Sequence, residues 1–178
     1  MEQVDTTTLS KIEPFTWLQM FGGVMVFNTF NFLIGYYALN DVSIVDIGWG
    51  LMFLIPNSMI LSQKTEFGPV HILTMSLVVV WAIRLSGHIG SRHNYGKEDY
   101  RYVAMREKIW NKFGPLAPLA CYLQVFGLQG FFSMFVNSSA MHILTYAEAS
   151  DPFGPFEIGG TLLWLTGFLF ETIGDLQL

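Results

Sequence analysis

Residues 17–39, WLQMFGGVMVFNTFNFLIGYYAL, run for 23 positions without a formal charge. At about 1.5 Å of rise per residue, a helix of that length crosses a hydrocarbon core of roughly 30 Å. The stretch therefore predicts a transmembrane helix. Its polar exceptions, Asn28 and Asn31, are expected to face protein rather than lipid, because an unpaired amide in hydrocarbon is costly.

Working outward, residues 1–16 carry Glu2, Asp5 and Glu13 and lack the basic start and small-residue cleavage site of a secretory signal, so they read as a polar surface tail. Downstream, apolar stretches cover about 47–61, 70–89, 116–140 and 158–175. The first of these is short and contains Pro56; a kinked span and a re-entrant helix both fit it, with the span favoured. In the last, Gly160, Gly167 and Gly174 recur every seven residues, a stripe on which a neighbouring helix can pack. The expected fold is an all-α polytopic integral membrane bundle of about five transmembrane elements. It forms a single membrane domain, 17–178, with a polar basic connector at 90–115.

Composition agrees. Of 178 residues, 52% are hydrophobic and 13% charged, against roughly 25% charged in a soluble domain. A soluble enzyme and a disordered chain are thereby disfavoured. The net charge of −5 argues against nucleic acid as a partner, since phosphate backbones require clustered excess base. One cysteine, Cys121, allows no internal disulfide and no structural zinc site.

Seven of the nine Lys and Arg residues fall between Arg84 and Lys112, whereas 146–157 holds Glu148, Asp151 and Glu157 and no base. The positive-inside rule then puts the connector in the cytoplasm or the mitochondrial matrix, with the amino terminus outside; the host membrane is the endoplasmic reticulum or the mitochondrial inner membrane. With five spans, three polar clusters share the inner face: Ser43, Asp46 and Trp49; Arg84, His88, Arg92, Arg101 and Tyr102; Glu171, Asp175 and Gln177. Arg84, His88 and Arg92, spaced i, i+4, i+8, form a basic stripe that suits either a dinucleotide's phosphates or lipid head groups. Glu171 and Asp175 share a helix face and need a partner such as Arg84 or Arg92, in a site or in a purely structural ion pair. Asp46 either caps a helix starting near Ile47, the favoured reading, or lines a pocket. His71 and His142 read as interfacial, too far from His88 and His93 to complete a metal site. The sequon Asn137-Ser138-Ser139 sits in or beside an apolar span and is a poor glycosylation acceptor. A transporter or channel needs charge along an ion path, yet the midplane of most segments is uncharged.

SIVDIGWG (43–50), WAIRLSGHIGSRHNYGKEDYRY (81–102) and FETIGDLQL (170–178) together resemble the steroid 5-alpha-reductase-like membrane proteins, in particular an uncharacterised branch. The resemblance covers roughly Asp41 to the end. It implies an enzyme that uses NADPH to reduce a carbon–carbon double bond conjugated to a carbonyl in a lipid, with hydride going to the beta carbon while an acid polarises the carbonyl. By the same resemblance Glu171, Asp175 and Gln177 contact the cofactor, Arg84, Arg92, Arg101 and Tyr102 surround it or the pocket mouth, and Asp46 and Trp49 shape the substrate cavity. The catalytic residue is left unassigned. Related enzymes continue past the Asp-Leu-Gln motif with a basic segment and further helices that complete the cofactor site, and this sequence stops at Leu178. Two expectations follow: a piece of a longer reductase, or a non-catalytic accessory subunit of a larger membrane assembly such as a respiratory complex. Membrane lipids and a lipid-like substrate or bound lipid are partners in either case.

Overall fold

A computed structural model of the protein describes residues 15–177. It is an all-α membrane bundle. Helix α1 (Trp17–Phe32) opens with a capping box, in which the Thr16 hydroxyl accepts from Gln19 N at 3.2 Å and the Gln19 side chain accepts from Thr16 N at 2.8 Å. Phe15 N also donates to Gln63 Oε1 at 3.0 Å, so the end of the expected surface tail is part of the bundle; its residues 1–14 lie outside the described residues. α1 continues into a π-helical turn, Leu33–Leu39, and stops at Asn40, whose φ of 52° is a left-handed conformation that asparagine tolerates.

α2 (Ile44–Ser62) begins three residues before the expected start and runs unbroken through Pro56. Its first turn reaches the connector, where Asp46 meets Arg101 and Tyr102, and its last lies beside Phe15 and residues 145–147, through Gln63 and Lys64. The segment therefore spans the bundle rather than re-entering. α3 (Pro69–Arg92) packs antiparallel against α2, closely enough that a Cβ on Gly50 would lie 2.7 Å from the Ala82 carbonyl oxygen. The connector, read from sequence only as polar, contains helix α4 (Tyr100–Lys108), whose Asp99 cap accepts from Arg101 N at 2.9 Å.

The fourth long element is composite: a 3₁₀ segment (Trp110–Leu116), α5 (Ala117–Cys121), a π-helical turn (Tyr122–Gly127) and α6 (Leu128–Val136). It begins earlier than 116 and ends before 140. Asn137, 2% exposed, interrupts it: its amide pairs with that of Asn57 at 3.1 and 3.3 Å and donates to Phe53 O at 3.2 Å, after which α7 (Ser138–Tyr146) restarts. A glycan has no access to it. Asn28 is likewise fully buried, donating to Phe126 O in the second π-helical turn at 2.8 Å, and the Asn31 amide abuts Gly48. Both α1 asparagines face protein, as expected.

α8 (Pro155–Gln177) lies along α3 with no fully buried residue. Four stretches are long and apolar enough to cross a membrane, at 17–39, 44–62, 69–92 and 110–136. The expected fifth, α8, has 23 residues, carries Glu157, Glu171 and Asp175, and is not among them. His71, expected at an interface, is 1% exposed, its Nδ1 accepting from Gly68 N at 3.2 Å in the first turn of α3.

Candidate functional site

The ends of α2, α3 and α8 and the connector meet at one end of the bundle. The loop before α2 is tied down first. Asp41, 3% exposed, accepts from Ser43 N at 3.1 Å and from the Ser43 hydroxyl, and lies 2.8 Å from His93 Nε2, just past the end of α3. Val42 N donates to Glu98 at 2.9 Å, and Glu98 holds Arg106 through two bonds of 2.8 and 3.2 Å. Burial opposes the Arg106 charge, yet the bond to Glu98 and its negative charge outweigh that and raise the pKa. The guanidinium also covers the Tyr36 ring at 5.0 Å.

Asp46 does not cap α2; Ser43 occupies that position. Instead its carboxylate takes three donors: Tyr102 Oη at 2.7 Å, Arg101 Nη2 at 3.1 Å and Gln129 Nε2 at 3.3 Å. Tyr102 is 5% exposed, and burial first, then the Asp46 charge, pushes its phenol far above the ordinary value. Asp99 is held below the usual carboxylate range chiefly by the Arg101 hydrogen bond, and the same bond raises Arg101.

Next to this network the Arg84 guanidinium donates to Glu171 at 2.7 Å and to Asp175, while Trp81 Nε1 donates to the other Glu171 oxygen at 3.0 Å. His88 Nε2 lies 3.9 Å from Asp175. The i, i+4 spacing of the two acids thus meets Arg84, one of the two partners expected from the sequence. Trp49 sits edge-on to Phe53 at 5.8 Å, and Phe53 to Trp81 at 4.7 Å. It belongs to an aromatic column inside the bundle rather than to the wall of the cleft. Gln177 is exposed and makes no hydrogen bond or ion pair among the described residues.

Between the two networks opens a cleft of about 430 Å³, whose walls include Asp46, His88, Arg92, His93, Lys97 and Arg101. The acids there are already engaged: Asp46 and Asp99 by Arg101, Glu98 by Arg106. Arg92 and Lys97 have no ion-pair partner among the described residues, and each projects from the cleft wall. Three acids and three bases line the cleft, and Arg92 and Lys97 are the two charges in its wall left for an incoming anion. Of the residues singled out from sequence, Ser43, Asp46, His88, Arg92 and Arg101 line it directly. Tyr102 backs Asp46, and Arg84, Glu171 and Asp175 adjoin the cleft through His88. Lys97 and Gln129 were not singled out. Lys97 lay within the basic connector, where it carried a signal; Gln129 is a single polar residue in an apolar run, and only the fold brings it to Asp46.

A family model described as a protein of unknown function, DUF1295, matches residues 31–178. No curated protein and no solved structure matches the chain.

Proposed function

Since this chain belongs to the family of unknown function DUF1295, we propose that it works as an NADPH-dependent membrane reductase of a carbon–carbon double bond conjugated to a carbonyl in a steroid-like or other lipid. The observation that carries this reading is the cleft with two bases, Arg92 and Lys97, that have no ion-pair partner among the described residues. Its volume suits the phosphate-and-ribose end of a dinucleotide and falls within the range of small-molecule sites. Arg92 and Lys97 take phosphate oxygens, Arg92 with the bidentate geometry of a guanidinium. Asp46, fixed by Tyr102 and Gln129, directs Arg101 at the mouth. Glu171 and Asp175 are anionic and repel phosphate, so they serve by holding Arg84 and by orienting His88 through Asp175. When bound, NADPH supplies the hydride. The connector end then faces the compartment that holds the cofactor, cytoplasm or matrix.

The test is NADPH titration by fluorescence on protein in lipid nanodiscs. Arg92→Ala and Lys97→Ala are each expected to weaken binding about tenfold, the value of one charge-assisted hydrogen bond of about 1.4 kcal/mol. No saturable binding to the parent protein, or unchanged affinity in both variants, overturns the reading.

A second reading, an accessory subunit of a larger membrane assembly, is supported by α8. None of its residues is fully buried, leaving a face for a neighbouring chain. A native mass in mild detergent far above 20.2 kDa, over a denatured chain of that mass, together with no NADPH binding, favours it.

A further inference from the structure

At the end of the bundle opposite the cleft, α8 stands away from α3 and α7, and two cavities occupy the gap. The deeper one, about 480 Å³, is walled by apolar and small side chains of three helices, among them Leu73 and Leu77 of α3, Ala140 of α7, and Gly160 and Trp164 of α8. The other, about 500 Å³, lies toward the loop after α7 and is bordered by His142, Tyr146, Asp151 and Glu157. They are continuous, since Val70, Ile143, Phe156 and Glu157 line both. The result is one fissure with a hydrocarbon-lined shaft and a polar, acidic mouth. A Cβ on Gly160 would meet nothing within 4 Å, so the shaft is open at its wall.

We propose that this fissure binds a single-chain amphiphile with a cationic head group, its tail in the shaft and its head at the mouth. The shaft needs an apolar filling, because its walls are mostly apolar and one of them, α3, is long and apolar enough to cross a membrane, where hydrocarbon is the solvent. Polarity runs one way along the fissure, which selects an amphiphile over a wholly apolar ligand. Charge selects the head. Asp151 and Glu157 each accept a backbone N–H through one oxygen, from Glu148 and Gly154 respectively, which leaves their second oxygens for a ligand. The stretch 146–157 contains no base. Lys64, which reaches this loop, is held by the carbonyls of Thr145 and Ala147 at 2.7 and 3.1 Å and does not line the mouth. His142 and Tyr146, with ring centres 4.6 Å apart, add aromatic surface for a cation. The site lies away from the cleft and stands whether or not NADPH binds there.

The probe is a long-chain primary amine with a diazirine midway along its chain, irradiated with the protein in nanodiscs and compared with the fatty acid of the same chain and diazirine. Peptide mass spectrometry is expected to place the amine adduct on α3, α7 or α8 around the shaft, with the acid labelling at least fivefold less. Gly160→Leu, which fills open space, is expected to cut amine labelling about tenfold. Leu162→Trp, adding bulk at an exposed position on another face of α8, should leave it unchanged and controls for misfolding. Glu157→Gln keeps an acceptor for Gly154 N and is expected to narrow the difference between amine and acid. Labelling outside the fissure, or labelling indifferent to Gly160→Leu, overturns the site. Equal labelling by both probes in the parent protein overturns the cationic head.

Discussion

Asp46 shows how much one carboxylate can organise when its donors come from separate elements. Tyr102 and Arg101 approach from α4 and Gln129 from α6, so the connector is pinned to the bundle at the cleft mouth. Two groups at this pin carry opposite pH signatures. The Asp99 carboxyl is depressed in the fold, so its stabilisation is complete above its ordinary value near pH 4 and is lost as the pH falls through the depressed value. The Tyr102 phenol is raised, so its stabilisation is complete below its ordinary value near pH 10 and is lost as the pH climbs through the raised one. Hydrogen-exchange protection of Tyr100–Lys108, corrected for intrinsic rates, is therefore expected to be flat between about pH 5 and 9 and to fall on both sides. Asp99→Asn, which retains a capping oxygen, should remove the acid limb alone; an acid limb that persists in that variant means Asp99 is not its source. At this scale the sequence was informative where spacing encodes contact. Glu171 and Asp175 share a face by periodicity, and a nearby arginine was an available partner. The roles of Asp46 and Trp49 were less legible, since the side chain that meets each one is set by tertiary packing.

Among the elements, α2 is the one the others are built around. Its glycines set the approach distances, and Gly50 is the tightest contact with α3. Gly50→Ala drives a methyl group into backbone, which cannot yield as a side chain does; the expected loss is about 2–3 kcal/mol or failure to accumulate. Gly22→Ala, with nothing near the added carbon, is expected to be neutral or to gain up to about 1 kcal/mol from helix propensity. Thermal unfolding in detergent distinguishes the two, and similar midpoints for both variants contradict the packing described. The run 17–39 was visible to its ends, and 44–62 and 69–92 to within about three residues at each end, as the apolar stretches 47–61 and 70–89, because lipid tolerates few exceptions. The fourth element was not visible in detail. Its π-helical turn and its break at Asn137 meet partners in other helices, namely Asn28, Asn57 and Phe53, and no local pattern announces them.

Across the whole molecule, α8 is joined to the bundle mainly by the bonds that Trp81 and Arg84 make to Glu171 and Asp175. Arg84→Ala leaves two carboxylates without their partner. Breaking a fully buried pair costs about 3–5 kcal/mol, but Glu171 is 37% exposed, so water recovers part of this and about 1–2 kcal/mol is expected. The clearer signal is local: a cysteine placed at Ile173 should change its accessibility to a membrane-permeant maleimide in the Arg84→Ala background, and should not change if the ion pairs leave α8's position unaffected. Those bonds all sit near one end of the helix. From Glu171 back to Pro155 is 16 residues, about 24 Å of helix, with only van der Waals contact beside the fissure. α8 is in mechanical terms a cantilever clamped at Arg84. A rotation of about 5° at the clamp corresponds to about 2 Å at the Pro155 end, so the width of the fissure at its mouth is set by an ion pair at the far end of the same helix.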